Sequence, residues 1–268
     1  IQNTSMGLNF AAKALELKAG DNVIVSDMEF PSNIYPWLNL EQEGVEVRIV
    51  QTVNGRIPTE EIRNHMDART RAVSLSWVIA ANGSVTDIGA IGNICRERGV
   101  TYIIDGIQGL GQIPINVKDI DCDIFVSGFF KWMMGPDGIG FVYIRQEMLN
   151  RLGYPWLGWA GMKDKFNYSE FKIDVFDGAK RYETGNMNFS ALYGLESCLM
   201  FTDGWEETIR QRICGLSGYL RNELMKIDGI RILSDCTTLS GITLFSSDYI
   251  DKISNDLKAA GYKFSTRG

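Results

Sequence analysis

Short apolar runs alternate with helix-length amphipathic stretches through the first half of the chain, and this alternation restricts the fold more than any other feature. The runs "NVIVSD", "VEVRIV", "AVSLSWV", "TYIID" and "DIFVSG" read as strands. Between them, "PSNIYPWLNLEQEG", "TEEIRNHM" and "DIGAIGNICRERG" read as helices, the last with Ile88, Ile91 and Ile94 facing inward. An opening stretch, "NTSMGLNFAAKALELKAG", predicts a helix with Thr4 or Ser5 as its cap and Gly20 as its stop. Strands joined through helices pair in parallel and are covered on both faces, so the expected fold is α/β with a mainly parallel sheet. "GIGFVYI" follows "DIFVSG" too closely for a helical crossover and is expected to pair antiparallel.

From about Ser190 the pattern changes. "SALYGLESCLMF" and "WEETIRQRICGLSGYLRNELMKI" are long amphipathic helical stretches. "IRILS", "GITLFSS" and "YIDKISNDLKAAG" then suggest a smaller α+β unit, and "YKFSTRG" reads as strand-like. The division expected is a large domain over residues 1–188, then an interdomain helix and partial small domain over 189–268. The first residue is not methionine and the last segment is strand-like, so a piece of a longer protein is expected.

Composition removes several classes of function. The net charge of −6 and the absence of a Lys/Arg-rich run argue against nucleic-acid or membrane-surface binding. No apolar run reaches transmembrane length. Cys95, Cys122, Cys198, Cys214 and Cys236 are scattered, odd in number and without CxxC spacing, which suits reduced thiols in a cytoplasmic protein. The single histidine, His65, lies in a polar helical stretch, which disfavours Ser-His-Asp hydrolysis and multi-histidine metal sites.

Ligands of open parallel sheets bind beyond the carboxyl ends of the strands. Asp105 closes "TYIID", Trp77 lies near the end of "AVSLSWV", Gln108 follows Asp105, and Lys131 follows "DIFVSG". Singly, each has an ordinary reading as turn acid, core aromatic or solvated amine. Together they describe a site for an aldehyde cofactor: an amine for a Schiff base, a carboxylate for a pyridinium proton, and an aromatic face for a ring. Thr4 and Ser5 place hydroxyls at the positive end of a helix, where a phosphate group is favoured.

"YIIDGIQGLGQIPINV", "FVSGFFKWMMGPDGIGFVYIR" and "RYETGNMN" resemble the class V, cysteine desulfurase-like branch of fold-type I pyridoxal-phosphate enzymes. "NTSMGLN", "EFPSNIYPW" and "SWVIAANGSVTDI" fit the same family in the same order, so the resemblance runs nearly end to end. It implies a seven-stranded type of sheet, with residues 1–188 as the cofactor-binding domain. It further implies pyridoxal 5'-phosphate as cofactor, a small amino acid as substrate, and a homodimer with active sites at the subunit interface. By the same resemblance Lys131 holds the cofactor and shuttles a proton, Asp105 partners the pyridine nitrogen, and Gln108 donates near the phenolate oxygen. Trp77 stands where many relatives stack a histidine on the ring. Thr4, Ser5 and Ser127 are phosphate candidates, and Asn186 is the counterpart of a loop residue that reaches the neighbouring subunit's phosphate.

Some positions depart from the family pattern. Phe130 replaces a common histidine before the lysine, Ser127 is four rather than three residues ahead of it, and Asn186 replaces a threonine. None of the five cysteines matches the mobile-loop cysteine of the desulfurases, and the arginine that grips a substrate carboxylate is expected, by the resemblance, just past Gly268, with Arg267 as a partial substitute. The expected reaction is therefore of the aminotransferase type. Cysteine desulfuration, selenocysteine lysis, epimerisation and a non-catalytic relative stand as alternatives. A nicotinamide oxidoreductase is disfavoured because neither "GIQGLG" nor "GPDGIG" forms G-x-G-x-x-G at a strand-to-helix turn.

Overall fold

The computed structural model describes residues 1–235 and 237–266, so Cys236 and Arg267 lie outside the described residues. Six strands form the main sheet: β1 (Asn22–Ser26), β2 (Glu46–Val50), β3 (Thr70–Ser76), β4 (Thr101–Asp105), β5 (Ile124–Gly128) and β6 (Gly140–Ile144). Their spatial order is β2-β1-β3-β4-β5-β6. Every neighbouring pair is parallel except β5 and β6, which run antiparallel as the short connection requires. On the outer edge of β6, Ile1 exchanges both its backbone groups with Gly140. One residue pair therefore stands at the position of the expected seventh strand.

Side-chain alternation along the strands divides the core into two layers. Val23, Val25, Ile103, Ile124 and Val126 pack with α1 (Thr4–Ala14), Trp37 and Met148 on one face. Ile24, Tyr102, Ile104 and Phe125 pack with Ile62 and Ile91 on the other, where α3 (Thr59–His65) and α4 (Ile88–Arg98) lie. The inward placement of Ile88, Ile91 and Ile94 agrees with the sequence reading. Between β1 and β2 the chain forms only the single α-helical turn α2 (Tyr35–Leu38), flanked by 3-10 turns at Pro31–Asn33 and Asn39–Glu43. The prolines at 31 and 36 have no N–H to donate, which accounts for a broken helix there.

Two local expectations are corrected. Asn3, not Thr4 or Ser5, caps α1, its side chain accepting from the Met6 N–H at 2.9 Å. Asparagine is among the strongest caps, and its use leaves the hydroxyls of the first turn for other partners. The segment Tyr262–Thr266 is not a strand, since no neighbouring strand pairs with it among the described residues.

Past Asn188, which caps α5 (Phe189–Thr202), the chain builds α6 (Glu206–Leu224), the antiparallel pair β7 (Ile230–Ile232) and β8 (Phe245–Ser247), and α7 (Ile250–Ala259). The buried Arg221 of α6 holds the 237–243 loop by donating to the carbonyls of Asp235, Thr238 and Ile242 and to the Thr243 hydroxyl. That loop leans on the large sheet's end, where Ser240 donates to the Gly83 carbonyl, and just ahead of it Ser234 donates to that of Asn82.

Candidate active site

The carboxyl ends of β1, β3, β4 and β5 converge, and most of the singled-out residues lie there. Ser76 and Asp105 are register partners across β3 and β4, and the Trp77 N–H donates to the Asp105 carbonyl at 2.9 Å. Trp77 is buried, edge-on to Phe125 and packed against the Gly109 backbone. A β-carbon at Gly109 would come within 2.2 Å of the indole, so only glycine lets the chain pass so close to this ring.

Asp105 is buried and accepts one hydrogen bond through Oδ1, from the Ile107 N–H at 3.0 Å. Its Oδ2 meets no donor among the described residues. Burial pushes its carboxyl up to about 6, against the Ile107 hydrogen bond and the charge of Lys131, which both favour the anion. Lys131 responds in the opposite sense: partial burial lowers its ammonium, and the charge of Asp105 counters it. The Lys131 Nζ lies 5.8 Å from the ring centre of Phe30 and 5.9 Å from that of Phe130. Phe30 also lines a cavity of about 360 Å³ with Met28, Glu29, Pro31, Ala80, Ala81, Ser265 and Thr266.

The first turn of α1 reaches the same edge. Gly128 at the end of β5 donates its N–H to the Thr4 hydroxyl at 2.9 Å, and the Ser5 hydroxyl pairs with that of Ser32 at 2.7 Å. Ser127 is fully buried in β5, and its hydroxyl donates to the Gly128 carbonyl. Gln108 accepts at Oε1 from the Trp132 indole N–H at 3.0 Å. Asn186 is not brought into this group: it is exposed on the loop before α5 and bonds to none of these residues. His65 sits on α3 with its Nδ1 on the Glu61 carbonyl, as a surface residue would. Cys95 and Cys122 are core thiols, the latter pushed up to about 12 by burial.

Glu29 is a site residue that sequence reading passed over. Its Oε1 accepts the Ser76 N–H at 2.8 Å, and its Oε2 accepts the Ser76 hydroxyl at 2.5 Å and the Asn33 amide at 2.9 Å. It thereby ties the end of β1 to the residue that precedes Trp77. Burial lifts its carboxyl to about 7, hydrogen bonds from Ser76 and Asn33 pull it down, and the charge of Asp105 adds to the rise. The one sequence signal was an acid three residues past the end of a fully buried strand, where a turn residue is the default.

Because the folded chain keeps this proton to about pH 7 and the unfolded chain releases it near 4.5, the two states differ in proton uptake between those values. The stability that this proton secures is complete below pH 4.5, falls as pH rises through 7, and is constant above. The loss is about 3 kcal/mol. Denaturant unfolding at pH 4 and pH 8 should show that much extra pH dependence in the parent protein relative to Glu29→Gln.

The arrangement fits a cationic aromatic ring carrying an aldehyde and an anionic tail. The Asp105 oxygen without a donor suits a ring N–H, Lys131 supplies the amine, and Thr4 and Ser5 stand at a helix N-terminus. Among the described residues no cluster of side chains could hold a metal ion, and no helix is long and apolar enough to cross a membrane.

Comparison with known proteins bears on the family and the fold. A "Probable cysteine desulfurase" of Methanothermobacter thermautotrophicus is 29% identical over 252 residues, which is 93% of this chain. The chain spans 62% of that protein's length. A mutant of C-DES with glycine covalently linked to its PLP cofactor superimposes with a TM-score of 0.90 at 22% identity, over 99% of this chain and 72% of the other. The apo cysteine desulfurase of Thermococcus onnurineus NA1 gives 0.87 at 21% identity, over 97% of this chain and 66% of the other. Both structures share the fold. The sequence model of the family described as "Aminotransferase class-V" matches residues 1–259, and the chain belongs to that family.

Proposed function

We propose that the chain carries the catalytic centre of a pyridoxal-phosphate-dependent enzyme that acts on a small amino acid, with Lys131 as the covalent attachment point. The observation that carries this reading is the pairing of Lys131, its ammonium lowered by burial, with the buried and only partly satisfied Asp105. When bound, the cofactor would supply an electron sink for a carbanion at the substrate's Cα. The protein's own groups would do the rest. Asp105 would hold a proton at the ring nitrogen, Gln108 would donate to the phenolate oxygen, and Trp77 would bound the ring on one side. Thr4 and Ser5 would bind phosphate at the α1 terminus, with Ser127 behind them. Lys131, once displaced by the substrate amine, would carry the Cα proton.

An aminotransferase-type reaction is the first reading for this chain. Cysteine desulfuration is the second, favoured by the names of the relatives. Cys95 and Cys122 do not supply its nucleophile, because burial keeps both thiols protonated. A homodimer completes the proposal: Phe166, Tyr168, Phe171, Met200, Phe201 and Tyr219 are exposed, and Asn186 lies on a loop free to reach a second subunit. A cytoplasmic setting is supported by the free state of the four described cysteines.

The test is direct. Protein incubated with pyridoxal phosphate should show a visible band that borohydride bleaches, and peptide mapping should find the reduced label on Lys131. No band, or a label elsewhere, rejects the reading. Sulfide release from cysteine, assayed beside keto-acid-dependent amino transfer, then separates the two reactions.

A further inference from the structure

Trp132 follows Lys131 directly, yet its side chain contacts residues from two other parts of the chain. Its indole N–H donates to the Gln108 Oε1 at 3.0 Å. An indole can only donate, so the atom facing it is the amide oxygen, and this fixes a side-chain orientation that is otherwise ambiguous. The Gln108 Nε2 group is left without a protein partner among the described residues. The main-chain carbonyl of Gln108 accepts from the Nε2 of Gln112, which is fully buried, and the Oε1 of Gln112 accepts the Gly241 N–H at 2.8 Å. Gly241 returns to Trp132, because a β-carbon there would fall 2.0 Å from the indole Cη2. Gln108, Gln112, Gly241 and Trp132 thus form a closed circuit. One side of it is the sheet-end loop and the other is the 237–243 loop that Arg221 holds.

We propose that Trp132 is a positioning residue that holds Gln108 with its NH₂ group toward the cofactor's phenolate oxygen, and that the Gly241 loop sets this orientation through Trp132 and Gln112. The inference rests on the pyridoxal-phosphate reading and adds to it how one recognition group is oriented and what that orientation depends on. If the amide turned over, its carbonyl oxygen would face the phenolate, exchanging attraction for repulsion. A donor on the phenolate draws negative charge away and weakens that oxygen's hold on the neighbouring proton, whose release the visible band reports. Losing the donor strengthens that hold.

The experiment is a pH titration of the visible band in the full chain loaded with pyridoxal phosphate, for parent, Trp132→Phe and Gly241→Ala. Phenylalanine keeps an aromatic ring but lacks the N–H, and alanine at 241 presses on the indole from outside the site. In both variants the titration midpoint should move up by about one pH unit, the worth of one hydrogen bond to a charged group. A band that bleaches with borohydride but titrates unchanged in Trp132→Phe overturns this inference and leaves the cofactor reading standing. If Trp132→Phe fails to fold, Gly241→Ala decides alone, an unmoved midpoint again overturning it. A parent protein without any band overturns the cofactor reading and this inference with it.

Discussion

Lys131→Ala is expected to abolish the borohydride-sensitive band and to lower turnover by at least about 10²–10⁴-fold, the usual contribution of one placed proton-transfer group. The expectation follows from where the amine sits. Partial burial against Phe30 and Phe130 makes its ammonium easier to deprotonate, while Asp105 keeps that shift within bounds. Lys131→Arg should not rescue it, because a guanidinium keeps the charge but does not lose its proton in a protein. Absorbance and single-turnover assays check both variants, with thermal melts to confirm folding. Truncating a half-buried cation should leave the melt near the parent's, since Asp105 acts on the ammonium through its charge and no salt bridge to it forms among the described residues. Turnover retained in Lys131→Ala would remove the lysine from the chemistry.

How far this site could be read from sequence depends on the distance over which each contact is made. Asp105, Trp77 and Lys131 follow recognisable strands, and strand ends in a parallel sheet converge by construction. β6 was equally legible, because a short connection leaves only antiparallel pairing. The cap of α1 was not. Asn3, Thr4 and Ser5 all have capping side chains, and the choice follows from how the chain enters beside Gly140, a partner 139 residues away. Glu29 was missed for a similar reason. An acid after a strand is solvated by default, and this one is drawn out of solvent because Ser76, 47 residues on, bonds to it. The Trp132–Gln108 bond joins residues 24 apart, in two loops whose local pattern does not show that they meet. "YKFST", residues 262–266, misled in the opposite direction, since strand-like composition forms no strand without an edge to join.

Asp105→Asn is expected to separate catalysis from stability. Asparagine can still accept from the Ile107 N–H through its oxygen, so the turn after β4 is kept. It removes the negative charge and puts an NH₂ group where a ring N–H needs an acceptor. Loss of a preorganised charge at the reacting system should lower turnover on the order of 10²-fold or more. Cofactor attachment through Lys131 should persist. The Asp105 charge raises the Lys131 ammonium, so its removal should also move the onset of borohydride-trapped labelling to lower pH. Stability should change in the other direction. Folded Asp105 titrates near 6 and the unfolded residue near 3.8, so its folded-state proton stabilises fully below pH 3.8, and that contribution is lost as pH rises through 6. Asparagine has no proton to lose. Above pH 6 the cofactor-free variant should therefore gain up to about 3 kcal/mol relative to the parent, measured by urea unfolding. A buried carboxylate that weakens the empty protein is the arrangement expected where its charge is matched by a bound cation. Unchanged turnover in Asp105→Asn, or a variant less stable than the parent at pH 8, would contradict that assignment.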